Sequence, residues 1–229
     1  MPLPLWAASL AASAVVSAVA GAVAWRHRNN FKDELKGKVI TVLGPRGAGK
    51  TTLVTFLSKG ELPVEYVSTA KPEKFGGRSI EMNDLQLVLQ TIVDVPGDKH
   101  SYVEWERQYK KADVVCYLVD ASKIQISDDA YIKLVSSEMR NLGDWLRERE
   151  ADPPKTFLAA THCDLIPEYV NLPYAGKHTF LDDFWKTPAV EQFVLRAGGQ
   201  KHVRCIAGSL ATKRGAEHLV GELLHEVRR

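Results

Sequence analysis

Charge of one sign is scarce in this 229-residue chain, where 30 Lys and Arg stand against 28 Asp and Glu for a formal net charge of only +2. Domains that hold nucleic acid carry a pronounced basic surface, so this balance argues against one. Cysteine is sparse as well. Cys116, Cys163 and Cys205 are odd in number and contain no CxxC pair, which argues against a disulfide framework or a zinc site and leaves reduced, buried thiols. A third absence is local: no charged side chain occurs from Met1 to Trp25. What remains is ordinary globular composition, 45% hydrophobic and 25% charged, enough for one large core or two small ones.

The uncharged N-terminal stretch is apolar or small from Leu3 to Trp25 and stops at Arg26, His27 and Arg28. A bilayer core of about 30 Å needs about 20 helical residues, so the run is long enough to span. Alanine outnumbers leucine in it, which weakens insertion, while Trp6 and Trp25 suit the headgroup level. A cleaved signal ending near Ala18-Val19-Ala20 and a buried soluble helix compete with this reading. The positive cluster follows the run instead of preceding it, which favours a retained anchor with everything after it in the cytosol. Ser13, Ser17 and Gly21 share one helix face and permit close packing of two such helices. Residues 29–37 are polar and mixed in charge, with Phe31 and Leu35 as the apolar exceptions. The expected organisation is therefore a transmembrane anchor over 1–25, a juxtamembrane linker over 26–37 and a soluble domain over 38–229.

The soluble part opens on chemistry. Lys38 to Leu43 reads as a buried strand, and Gly44-Pro45-Arg46-Gly47-Ala48-Gly49-Lys50-Thr51 follows it, matching GxxxxGK[ST] in full. Glycines let the backbone turn its N–H groups onto a phosphate, Lys50 brings a mobile cation, and the Thr51 hydroxyl can ligate Mg²⁺. Thr52 to Lys59 continues as a helix whose N-terminus faces the phosphates. Arg46, third in the loop, either contacts nucleotide or crowds the hydrolytic geometry.

Further on, Ile80 to Met82 and Leu85 to Asp94 read as two strands joined at Asn83-Asp84, the second running into Asp94-Val95-Pro96-Gly97. A strand-end carboxylate can hold the Mg²⁺ shell, and the glycine three residues later lets a backbone N–H sense a terminal phosphate. In this order the motifs resemble the Ras-like and translation-factor GTPases, whose DxxG begins a switch segment. The resemblance implies GTP and GDP as ligands, Mg²⁺, and a hydrolysis-assisting residue after Gly97. Asp98, Lys99 and His100 stand there in place of the usual glutamine or histidine; Asp98 or His100 could orient water, or each is a solvated loop residue. The polar stretch Glu61 to Gly77 reads as a loop, in which the resemblance implies a Mg²⁺-completing threonine, with Thr69 first and Ser68 second.

Asp113 to Asp120 and Thr156 to Ala160 are two more apolar runs around a long amphipathic segment, Tyr131 to Arg149, the alternation of βα units. Thr161-His162-Cys163-Asp164 follows, where GTPases carry a guanine-reading NKxD, and it resembles the THxD variants of divergent members. A carboxylate at Asp164 can accept from guanine N1–H and the 2-amino group, which adenine cannot match; a helix-capping aspartate is the plainer alternative. Thr161 keeps a hydroxyl for the phosphate-loop backbone, and the His162 ring could cover a base face. Val203 to Ala207 reads as the last strand, and Gly208-Ser209-Leu210 after it resembles the loop that contacts guanine O6. Ala216 to Val227 has the spacing of a packing helix, and Trp105, Trp145 and Trp185 lie in helix-like segments.

The resemblance extends over about residues 38 to 229 and implies a three-layer α/β P-loop fold, a mostly parallel doubly wound sheet of about six strands. One anchor close before such a domain is similar to the β-subunit family of the signal recognition particle receptor. The expected partners are guanine nucleotide, a membrane through the N-terminal helix, and a protein effector or activator. An ATPase sharing the loop, a scaffold that hardly hydrolyses and a membrane protein with a vestigial site are the alternatives. Asp164 speaks against the first and Gly49-Lys50-Thr51 against the third, while Arg46 and Asp98 keep the second open.

Overall fold

The structure, a computed structural model, describes residues 38–59, 61–63, 78–82, 85–89 and 99–228. Among these, β1 (Ile40–Leu43), β4 (Val114–Asp120), β5 (Lys155–Thr161) and β6 (Val203–Ala207) form one sheet in the order β1-β4-β5-β6. Every pairing in it is parallel, with Ile40 opposite Val114, Val114 opposite Lys155 and Thr156 opposite Val203. The remaining strands, β2 (Arg78–Met82) and β3 (Leu85–Leu89), make an antiparallel hairpin closed by Met82 opposite Leu85, with β3 lying close to β1. The expected mostly parallel sheet is seen in part: among the described residues, four strands form the parallel sheet and two form the hairpin, and the expected continuation of the second hairpin strand from residue 90 to Asp94 lies outside the described residues.

Helices sheathe both faces. On one, Ile40, Val42, Val114, Cys116, Leu118, Phe157, Ala159 and Ile206 pack against α1 (Lys50–Lys59) and α8 (Lys213–Arg228). On the other, Leu43, Val115, Tyr117, Val119, Leu158 and Ala160 meet α2 (Lys99–Tyr109), α4 (Asp129–Glu148) and α7 (Pro188–Arg196). Alternate residues of one strand feed opposite cores, so β4 is apolar almost throughout, as a strand buried on both faces must be. Burying each such Val, Leu or Phe contributes about 1.5–3 kcal/mol, which is what holds the three layers.

Several helices start where capping chemistry dictates. The Asp120 carboxylate accepts from Ser122 N and Lys123 N at the head of α3 (Ala121–Gln125), and Asp128 caps α4 through Tyr131 N. Proline takes the first turn of α5 (Pro167–Val170) and of α7. These short helices were not anticipated from sequence, while Trp185, expected in a helix-like segment, ends α6 (Tyr174–Trp185). The long ones were anticipated, with ends displaced by cap residues: α4 begins at Asp129 and α8 at Lys213. No helix among the described residues is long and apolar enough to cross a membrane, and the expected anchor and linker, residues 1–37, lie outside them.

Cys116 and Cys163 are buried, Cys205 is partly exposed, and all three are free. Burial pushes each thiol up to about 12. Above pH about 9 an unfolded chain loses these protons while the folded one keeps them, so the folded state loses stability as pH rises. We expect this loss between pH about 9 and 12, at up to about 1.4 kcal/mol per pH unit for each of Cys116 and Cys163 and less for Cys205. Urea midpoints at pH 7, 9.5 and 10.5 check it, and a flat profile would contradict the burial of the thiols. A thiol-reactive probe at pH 8 should label the pair only after unfolding.

Candidate functional site

The phosphate loop leaves β1 through Gly44, whose φ of +134° is open to glycine alone. A Cβ there would lie 2.3 Å from the Leu118 carbonyl oxygen, so the loop presses against β4. Gly47 and Gly49 also have positive φ, +81° and +88°. These are the conformations that let successive N–H groups converge on an anion. The Lys50 ammonium is buried and donates to the carbonyls of Gly44 at 2.7 Å and Pro45 at 2.6 Å. It therefore closes the loop on itself while holding a cation at the head of α1. Arg46 is exposed on the rim of the loop, and Thr51 and Thr52 occupy the first turn of α1, exposed and half-buried. Phosphate groups fit this cradle by shape and by charge.

A second pair of loops meets it from β5 and β6. Thr161 ends β5, and its Oγ1 lies 2.9 Å from the Ala48 carbonyl and 3.0 Å from that of Val119. His162 follows in the left-handed region at φ 60°, ψ 26°, a conformation that costs a non-glycine residue energy and turns the chain sharply. Asp164 then falls in a 3-10 turn, Cys163–Leu165, where it accepts from the Ser209 hydroxyl at 2.5 Å. Ser209 Oγ in turn accepts from Ala211 N at 3.0 Å. Backbone bonds from Gly208 N to Ala160 O and from Cys163 N to Gly208 O stitch the two loops together. Leu210 is buried with a terminal methyl 2.9 Å from where a Gly49 Cβ would be, so the β6 loop rests on the phosphate loop.

The structure thus brings together Gly44, Arg46, Gly47, Ala48, Gly49, Lys50, Thr51, Thr52, Thr161, His162, Asp164, Ser209 and Leu210 at the carboxyl ends of β1, β5 and β6. Ligands of open α/β sheets bind at such ends. Thr69, Asp94, Gly97 and Asp98 lie outside the described residues; His100 falls in the first turn of α2, its side chain likewise outside them. Sequence reasoning passed over Asp120, which it treated as a strand boundary. That carboxylate stands at the end of β4, 3.9 Å from His162 Nδ1, and the Tyr131 hydroxyl accepts from its backbone N–H at 2.7 Å. An acidic residue closing a fully apolar strand and followed by Ala-Ser was the available signal.

Comparison with known proteins adds a family. The model of the ADP-ribosylation factor family matches residues 27–146, just over half of the chain, and its span takes in the phosphate loop but stops before Thr161. A thymidylate kinase of Clostridium novyi (strain NT) is 34% identical over 98 residues, 41% of this chain. The chain spans 46% of that kinase's length. Among solved structures, an ADP-ribosylation factor-like GTP-binding protein, the small COPII coat GTPase SAR1 of Encephalitozoon cuniculi with GDP, is 15% identical at a TM-score of 0.47, covering 94% of this chain and 90% of its own. A GTP-binding protein of Sulfolobus solfataricus with GDP is 18% identical at a TM-score of 0.48, covering 83% of this chain and 52% of its own.

Proposed function

Because the chain belongs to the ADP-ribosylation factor family, we propose that it is a membrane-anchored switch whose GTP- and GDP-bound forms present different surfaces to a partner protein. The observation that carries this reading is the Thr161 contact with Ala48, which ties the loop presenting Asp164 to the loop presenting Lys50. One ligand holding a guanine and a polyphosphate would satisfy both ends. In this reading Asp164 accepts from the guanine N–H groups, Ser209 and Leu210 close the base pocket, and the loop from Gly44 to Thr52 takes the phosphates. Lys50 stabilises the charge that develops as the terminal phosphate leaves.

Mg²⁺ fits the donor set, since Thr51, Thr69 and Asp94 offer only hard oxygens, and it would neutralise phosphate charge when bound. Asp98 and His100, beside Gly97, are the groups of this chain proposed to orient water. Intrinsic hydrolysis is slow in this proposal, with a partner protein supplying the missing polar group. Residues 1–25 anchor the chain as a single span, 26–37 link, and 38–229 form the cytoplasmic nucleotide domain, an arrangement similar to the β subunit of the signal recognition particle receptor. The exposed Arg46 on the loop rim favours a second reading, a nucleotide-binding scaffold with little turnover.

Titration of the full chain with fluorescent GTP, GDP and ATP in Mg²⁺, with phosphate release followed in the same samples, tests all of this. Guanine-selective binding with slow release supports the switch; binding without any release supports the scaffold; equal ATP and GTP binding moves the chain toward ATP-using P-loop enzymes. Asp164→Asn should weaken GTP about 100-fold while leaving ATP unchanged, because a half-buried charged acceptor is exchanged for a group that also donates.

A further inference from the structure

Thr161 Oγ1 has three neighbours at hydrogen-bond distance: the Ala48 carbonyl at 2.9 Å, the Val119 carbonyl at 3.0 Å and His162 Nδ1 at 2.9 Å. A hydroxyl has one hydrogen, and carbonyls only accept. If Nδ1 accepts that hydrogen, neither carbonyl receives one, and the tie between the phosphate loop and β5 is lost. The count balances when Nδ1 carries a proton and donates to Oγ1, leaving the hydroxyl hydrogen for a carbonyl. Which ring nitrogen holds the proton is set by what faces it. Here the Asp120 carboxylate stands 3.9 Å from Nδ1 and favours a proton there. Asp120 is itself fixed, accepting from Ser122 N at 3.0 Å and Ser122 Oγ at 2.6 Å. The nearby Lys123 ammonium lies over the Tyr131 ring, 4.9 Å from its centroid.

We infer that Asp120 and His162 are positioning residues that act through the Thr161 hydroxyl to hold the Ala48 segment of the phosphate loop. The inference rests on the nucleotide-site reading above and deepens it. It assigns His162, on the base side of the site, an effect on phosphate binding, and gives a role to a carboxylate that sequence motifs do not mark. The left-handed backbone at His162 serves the same end, since it turns the ring back onto the residue before it.

The test compares guanosine diphosphate with guanosine monophosphate, which lacks the second phosphate, on the full chain. His162→Phe keeps a flat ring to cover a base and removes Nδ1; Asp120→Asn keeps an oxygen to cap α3 and removes the charge. His162→Phe removes the donor that orients the hydroxyl between the Ala48 and Val119 carbonyls and is expected to weaken the diphosphate about three- to tenfold, and the monophosphate little. Asp120→Asn should act in the same direction by about threefold. Thr161→Val, which removes the hydroxyl itself, should weaken the diphosphate at least as much as His162→Phe. Equal losses for both nucleotides would overturn the inference in favour of base covering, and wild-type affinity in both His162→Phe and Asp120→Asn would overturn it outright. Adenosine di- and monophosphate run alongside keep the two readings separate. Absent guanine preference in wild type sinks the guanine assignment, while the diphosphate-to-monophosphate contrast decides the relay for whichever base binds.

Discussion

Lys50→Ala is expected to cost the protein about 1,000-fold or more in affinity for GTP and GDP alike, the size of a lost buried, charge-assisted contact. Two effects add. The ammonium is the buried cation at the head of α1, and its bonds to the Gly44 and Pro45 carbonyls also hold the shape of the loop. Lys50→Arg is not a conservative rescue, because a planar fork cannot reproduce a point charge that reaches both carbonyls from one atom. Equilibrium titration measures the loss. Should Lys50→Ala and Asp164→Asn both bind GTP as wild type does, the site is misplaced.

The second large effect concerns stability. Gly143 lies in α4 where that helix crosses α7, and a Cβ there would sit 2.0 Å from the Arg196 carbonyl oxygen, inside any real contact distance. The crossing is tightly specified: Val190 and Phe193 are fully buried, Arg196 Nη1 donates to the Ser136 carbonyl, and Ser136 Oγ donates to Gln192 Oε1. Gly143→Ala gains about 1 kcal/mol of helix propensity but must separate two helices, and overpacking of this kind costs about 1–3 kcal/mol or more. We expect a net loss of about 1–2 kcal/mol and a melting temperature lower by about 2–8 °C. Gly221→Ala is the control, since a Cβ on that α8 residue meets nothing within 4 Å. It should raise stability by up to about 1 kcal/mol. If both variants melt at the same temperature, close approach at Gly143 is not what sets the α4–α7 spacing.

Much of this architecture was legible in the residues, for reasons that differ by element. Four parallel strands were readable because each is a short apolar run, and their carboxyl ends were marked by the glycines of the phosphate loop, by Asp164 and by Ser209. Leu210 was placed by motif, but its contact with Gly49 belongs to the tertiary fold. The order of the strands was less legible, because period-2 alternation fixes a face and says nothing of which edge a strand joins. Helices α5 and α7 start at Pro167 and Pro188, residues that read as breakers when no cap is known. Asp120 escaped notice for a plainer reason. A capping aspartate and a site aspartate look alike in one dimension, and only the 3.9 Å approach of His162 tells them apart.

The strand order also has a consequence for biosynthesis. Among the described residues, β1, which carries the phosphate loop, pairs with β4: Val39 N donates to Asp113 Oδ2, 74 residues further on, and Ile40 pairs with Val114. At about 5–20 residues per second, a ribosome needs about 4–15 s to supply that partner. Through that interval the glycine-rich loop has no Leu118 carbonyl to lean on. Phosphate-binding competence therefore arises only after the centre of the sheet has been made, and until then the apolar β1 is exposed to the contacts that chaperones recognise.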